Sequence, residues 1–284
     1  MMFLSNAPCS WGVFYPDNAQ VSADRYLDDV AAAGYLGTEL GPYGFLPTEP
    51  AALEEALSKR GLRLVGTVHV HAFSDPRSGP QLLADVEKIG TLLHALGTNQ
   101  LVLMDEGNVY PPDAVGRLDD PQWKAMTAML RDAQALLSDH FGIALTFHPH
   151  VATAVEFEAQ IDRLLQDTDI NLCFDTGHHA FWNQDPLAYM EKVWDRIGYT
   201  HLKNVDGIVR RRMLDGQLGV REAFEAGIMC PLPDGAVDIA AVMRMLKERG
   251  FSGPVVVEQD YFETSGESPA ALARRNAEFL KSLL

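Results

Sequence analysis

His148, Asp175, His201 and Glu258 have the side-chain types and the spacing to hold a cation together. Each stands at or beside the end of a short apolar run that reads as a buried strand: 143–147 (IALTF), 170–174 (INLCF), 197–200 (IGYT) and 254–257 (PVVV). The four positions are separated by 27, 26 and 57 residues, and one β/α unit of an eightfold barrel takes roughly 30. The spacing places one polar group on each of four consecutive strands, with extra chain before the last. In such a barrel the carboxyl ends of the strands converge on one mouth, so groups distant in sequence become neighbours. Two imidazoles and two carboxylates meeting there make a mixed nitrogen and oxygen site for a divalent transition metal. Asp175 and Glu258 would be costly at the ends of buried strands without a partner, and a cation supplies one.

The elements that must position these groups can be read along the chain. Apolar runs at 3–7, 35–40, 62–70 and 100–104 give four further strands. Helices start at capping or proline signals (Ser22, Pro50, Asp120-Pro121, Asp185-Pro186, Asp238, Ser268-Pro269) and stop at Gly34, Gly61, Gly97 and Gly250. Alternating capped helix and apolar strand is the α/β pattern, and eight strands with eight major helices predict a single (β/α)8 TIM barrel over residues 1–284. A turn-rich loop is expected at 107–120, and an insertion at 205–237, after strand seven, is expected to act as a lid over the mouth. Its three arginines, Arg210, Arg211 and Arg212, read first as a solvated basic turn, with a role in substrate contact or closure as the alternative.

Seven of the nine histidines (His69, His71, His148, His150, His178, His179 and His201) fall at predicted strand ends, which would gather them at one mouth. Trp11, Glu39, His69 and His150 are expected to line the substrate pocket, although Trp11 reads equally as a core residue or as a flat apolar wall of the kind that covers sugar C–H groups. Asp105 and Glu106 read equally as groups supporting the site or as solvated loop acids.

Composition narrows the function. A net charge of −16 would repel a phosphate backbone, so nucleic acid is not an expected partner. No apolar stretch is long enough to span a bilayer, and the first residues lack the basic and apolar regions of a signal peptide, so no membrane partner and a cytoplasmic location are expected. Cys9, Cys173 and Cys230 are odd in number and far apart, and read as core thiols.

The segments Cys173-Phe174-Asp175-Thr176-Gly177-His178, His201-Leu202-Lys203-Asn204-Val205 and Val257-Glu258-Gln259-Asp260 resemble the xylose isomerase-like TIM barrels, the sugar isomerase/epimerase superfamily. Softer matches, Asn6-Ala7-Pro8 with Ser10-Trp11-Gly12 and the turn Pro233-Asp234-Gly235, resemble its inosose dehydratases. Epimerases of the superfamily usually carry a glutamate on strand five, where this chain has His148, and that departure shifts weight from epimerisation to elimination of water. The resemblance implies an enzyme that enolises a keto-cyclitol or keto-sugar, with a keto-sugar isomerase or epimerase as the alternative and a non-catalytic sugar-binding protein as a remoter one. It implies Mn²⁺ or Co²⁺ as the cofactor, while mixed ligation alone also admits Zn²⁺. His178 and Lys203 belong to the mouth outside the four ligands and are the candidates to move protons. A homo-oligomer is left open.

Overall fold

The computed structural model describes residues 1–106, 118–262 and 266–284, apart from the side chain of Asn18. Most of the loop expected at 107–120 thus lies outside the described residues. The strands in chain order are β1 (Met2–Asn6), β2 (Gly37–Glu39), β3 (Arg63–Gly66), β4 (Val68–His71), β5 (Gln100–Asp105), β6 (Ala144–His148), β7 (Asn171–Asp175), β8 (Ile197–Leu202), β9 (Asn204–Val205), β10 (Met229–Cys230) and β11 (Gly253–Val257). All but β9 and β10 form one parallel sheet, in the order β3-β2-β1-β11-β8-β7-β6-β5-β4. Its two end strands, β3 and β4, are halves of one stretch of chain broken only at Thr67. The sheet therefore wraps round until its ends meet, and Val102 N–H donates to Thr67 O (2.9 Å) across the break. The expected strand at 62–70 is thus present but kinked.

The helices are α1 (Ala23–Ala33), α2 (Pro50–Ser58), α3 (Gly79–Ala95), α4 (Asp120–Phe141), α5 (Glu158–Asp167), α6 (Thr176–Phe181), α7 (Pro186–Lys192), α8 (Gly207–Leu214), α9 (Val220–Glu225), α10 (Ile239–Glu248) and α11 (Pro269–Lys281). Among the described residues no helix is long and apolar enough to cross a membrane. The caps follow the sequence closely: Ser22, Asp185, Asp238 and Ser268 each accept an N–H from the first turn of their helices. One shifts by a residue. Asp119, not Asp120, caps α4, because its side chain accepts from Gln122 N–H while the Gln122 side chain returns a bond to Asp119 N–H.

Alternation along each strand creates two cores. Inside the ring sit Ala7, Val65, Val102, Cys173, Tyr199 and Val256, with Phe3, Cys9 and Val68 against them. The other face of each strand, carrying Leu4, Leu64, Leu103, Phe147, Leu172, Phe174, Leu202 and Val257, packs on the helices. Phase decides which side chains reach the mouth: residues an even number beyond Cys173, Tyr199 and Val256 point inwards.

The insertion at 205–237 is a packed element. It contains α8 and α9 and an antiparallel ribbon of β9 with β10. Val205, Met213, Ala223, Ile228, Met229, Leu232 and Val237 are buried in the outer core. Asn204 ties both ends down: its carboxamide donates to Leu232 O (2.7 Å) and Val237 O (3.1 Å) and accepts from Val205 N–H (2.9 Å) and Val237 N–H (2.8 Å). A side chain at Gly235 would collide with that carboxamide, which gives the glycine of the Pro233-Asp234-Gly235 turn its reason. The three arginines lie in α8 and not in a turn, since Asp206 caps that helix; Arg211 and Arg212 are exposed while Arg210 donates to Ala180 O (2.9 Å).

Candidate metal centre

Even spacing from the interior residues carries His148, Asp175, His201 and Glu258 to the mouth, where one ligand atom from each lies within 4.8 Å of the others and all four residues are buried. Parallel register aligns them: Asp175 pairs with His201 across β7 and β8, and His201 with Val256 two residues before Glu258. Asp175 divides its carboxylate between two tasks. Oδ1 caps α6 by accepting from Gly177 and His178 N–H (2.8 Å each), while Oδ2 is buried without a hydrogen-bond partner among the described residues. Gly177 is required there, because a Cβ would stand 2.6 Å from Lys203 Cβ.

His201 is locked in orientation. Its Nε2 donates to Glu39 Oε1 (3.0 Å), and its Nδ1 faces Glu258 Oε2 (3.2 Å) and Asp175 Oδ2 (3.9 Å) without forming a hydrogen bond. A carboxylate behind a histidine is the arrangement that fixes tautomer and basicity at metal sites. His148 Nδ1, His201 Nδ1 and Asp175 Oδ2 are all buried and unpartnered among the described residues. Unpartnered buried polar atoms are costly, and three of them on members of a two-His, two-carboxylate cluster fit a divalent cation.

Lys203, 1% exposed, continues the inward phase of β8. Its Nζ donates to His178 Nε2 (2.8 Å) and lies 3.1 Å from Glu258 Oε2, 3.1 Å from Asp260 Oδ2 and 3.6 Å from Asp175 Oδ2. The His150 ring is 3.8 Å from that of His178 and 5.5 Å from that of His148, and its Nδ1 donates to Val151 O (2.9 Å), leaving Nε2 as the lone-pair nitrogen.

Protonation follows from burial among charges. Burial, reinforced by His201 and His150, holds His148 well below the ordinary histidine range, and burial with His150 and Lys203 does the same to His178. His150 is lowered to about 4 by burial and the Lys203 charge. Burial pushes Asp175 up to about 6 against the pull of Lys203. Burial works against the charged forms of Glu258 and Lys203 too, but is outweighed: His201 and Lys203 hold Glu258 low, and Asp260, Asp175 and Glu258 hold Lys203 high.

Other expectations are corrected. Of the seven histidines expected at the mouth, His148, His150, His178 and His201 meet there. His69 lies opposite Leu103 of the outer core and has Nε2 3.7 Å from Asp85 of α3, so the phase of β4 turns it away from substrate. His71 bonds Ser78 (2.8 Å). His179 stacks on Tyr189 beside Glu158 (3.3 Å), because it sits within α6 and not at a strand end. Trp11 is no pocket wall: it is buried edge-on against Tyr26 (4.9 Å), with its indole N–H towards Asp29 (3.4 Å). Glu39 is at the site, behind His201. Asp105 supports loops, accepting from Phe73 N–H (3.2 Å) and Ala154 N–H (2.8 Å), whereas Glu106 is exposed. Asp260 was not among the expected site residues, although it shares strand phase with Glu258.

A parallel barrel with a buried, mixed-ligand cluster at its carboxyl mouth defines the class. A family profile described as xylose isomerase-like TIM barrel matches residues 27–283, and the chain belongs to that family. It is 33% identical over 245 residues to the rhizopine catabolism protein MocC of Rhizobium meliloti, covering 84% of this chain and 74% of that protein. It is 28% identical over 272 residues to the inosose dehydratase of Geobacillus kaustophilus, covering 92% of this chain and 87% of the relative. Among solved structures, the IolI protein with a bound zinc atom superposes with a TM-score of 0.76 at 14% identity, covering 99% of this chain and 98% of the other.

Proposed function

We propose that the protein is a metal-dependent sugar-modifying enzyme that enolises a keto-cyclitol or keto-sugar and eliminates water from it, an inosose dehydratase-like lyase. The observation that carries the proposal is the convergence of His148, Asp175, His201 and Glu258 beside the Lys203–His178 pair. The relatives named inosose dehydratase support the substrate class and the reaction.

Those four residues would hold a divalent cation, which when bound would supply Lewis-acid stabilisation of negative charge on a ketone oxygen. Glu39 keeps His201 aimed at the cluster, and Asp175 ties the cluster to α6. Lys203 and His178 move the protons: the Lys203 ammonium donates from Nζ to Nε2 of the neutral His178 imidazole, 2.8 Å away. Neutral His178 takes the proton from carbon and the Lys203 ammonium gives one to the β-hydroxyl, which leaves as water; the proton on His178 then passes back to Lys203. His150 presents its free Nε2 to the same space and orients substrate hydroxyls.

The test is incubation of metal-loaded protein with inosose, following formation of a diketone and, in deuterium oxide, exchange of the α-hydrogen. Dehydration is expected; exchange with epimerised product and no diketone would select the epimerase reading. Glu258→Gln and His201→Ala should lower bound metal by elemental analysis. Metal-free, fully active protein would end the proposal. His178→Ala and Lys203→Ala should keep metal and lose about 10²- to 10⁴-fold in turnover.

A further inference from the structure

The segment after β11 carries a carboxylate to which the reaction above assigns no task. Asp260 lies two residues beyond Glu258, its side chain 10% exposed, with Oδ2 3.1 Å from Lys203 Nζ and 3.9 Å from His178 Nε2. Both neighbours in sequence are pinned to the first turn of the chain: Gln259 N–H donates to Ser10 Oγ (3.1 Å) and Tyr261 N–H to Cys9 O (3.2 Å). The Gln259 side chain in turn accepts from Asn276 (2.9 Å). Backbone held on both flanks gives Asp260 a fixed position, unlike a solvated loop acid.

Lys203 also contacts Glu258 Oε2 and Asp175 Oδ2, two oxygens of the proposed metal set. An ammonium on those oxygens neutralises them and repels a dication at close range, so lysine and metal compete for the same acceptors. Among the described residues three carboxylates surround Lys203, and Asp260 is the one of them that does not belong to the proposed metal set.

We propose that Asp260 is a positioning residue that holds the Lys203 ammonium on the His178 side of the site and so leaves the Glu258 and Asp175 oxygens to a divalent cation. The inference rests on the metal reading of the four-residue cluster. Without Asp260, the remaining carboxylate partners of Lys203 are the metal's own ligands, and the lysine becomes the metal's competitor.

The experiment is a chelator-competition titration with Mn²⁺, and in parallel with Zn²⁺, on the full chain as wild type, Asp260→Asn, Lys203→Met and the double variant. Asp260→Asn should bind metal about 10-fold or more weakly, in the range lost when a supporting partner at a metal site is removed. Lys203→Met should bind at least as tightly as wild type, and the double variant should match Lys203→Met, because Asp260 acts through the lysine. Asp260→Glu, which keeps a carboxylate in reach, should recover most of the affinity; this also separates positioning from misfolding, as do thermal midpoints of the metal-free variants. Equal metal affinity in Asp260→Asn and wild type overturns the inference. So does an undiminished Asp260→Asn loss in the Lys203→Met background, which would mark a direct charge effect. Wild-type protein that takes up neither metal removes the cluster reading itself and this inference with it, whereas normal wild-type binding with an unchanged Asp260→Asn removes this inference alone.

Discussion

Replacing Glu39 tests the centre from behind, at a residue outside the proposed ligand set. Glu39 and His201 are 1% and 0% exposed and joined by one 3.0 Å hydrogen bond, so water cannot readily substitute for either partner. Loss of a carboxylate that orients a ligating histidine typically costs 10- to 100-fold in metal affinity, about 1.4 to 2.8 kcal/mol. Glu39→Gln keeps the shape and an oxygen that accepts from Nε2–H but removes the charge that raises imidazole basicity, so it belongs near the lower bound. Glu39→Ala removes the acceptor as well and belongs near the upper one. The alanine variant also leaves a buried N–H unpaired, at about 1–3 kcal/mol of stability, to be read as a lower urea midpoint. The assay is competition of dialysed protein against a fluorescent chelator for Mn²⁺, Co²⁺ and Zn²⁺. Unchanged metal affinity in both variants, together with a raised KM, would refute the reasoning and return Glu39 to the substrate pocket where its place at a strand end first put it.

Asp105→Ala strips the acceptor from Phe73 and Ala154 N–H, both buried, and is expected to cost about 2–4 kcal/mol in denaturant melts, with Asp105→Asn losing less. Asn204→Ala removes the four hydrogen bonds that fasten the insertion and should expose 205–237 to limited proteolysis; wild-type protein, whose insertion is packed into the core, should resist cleavage there with or without ligand. Glu156 is raised to about 7 by burial, against the opposing hydrogen bond from Trp182. A carboxyl raised in the folded state contributes stability that is full below its unfolded value, about 4.3, and lost as pH climbs to about 7. Glu156→Gln should therefore flatten the fall in thermal midpoint between pH 5 and pH 8, and parallel curves for both proteins would exclude this role.

The four cluster residues were legible because each ends an apolar run, and ends of parallel strands meet whatever the detail of the helices. Phase was harder to read. His69 and Glu39 both lie close to strand ends, but the break at Thr67 and the register shift between Thr38 and Glu39 decide which one faces inwards, and the glycines that precede them, Gly66 and Gly37, do not by themselves specify how the phase changes. His178 and His179 are adjacent at the end of a DTGHH segment that reads as a strand end; the capping carboxylate of Asp175 starts a helix there and sends the two rings in different directions. Trp11 was equally consistent with wall or core, because its Asp29 and Tyr26 neighbours come from a different element. Asp260 had a readable signal, its alternation with Glu258, but its significance depends on where the Lys203 ammonium ends, which only packing determines.

The seam between β1 and β11 joins residues about 250 positions apart, five pairs in register from Met2 with Gly253 to Asn6 with Val257, and the bonds of Cys9 and Ser10 to Tyr261 and Gln259 extend it past the strand ends. For a chain made from its amino end, this makes the seam the final step of ring formation: β1 pairs early with β2 and keeps a bare edge until residues 253–257 have been made. Such long-range pairing is slow, and an open edge awaiting its partner is open to association with other chains. The same late strand leads directly into Glu258, so the four-residue cluster is incomplete until residue 258 has been made. On the proposed metal reading, uptake of a cation would follow closure of this seam, since a chain that stops short of Glu258 offers three of the four cluster residues.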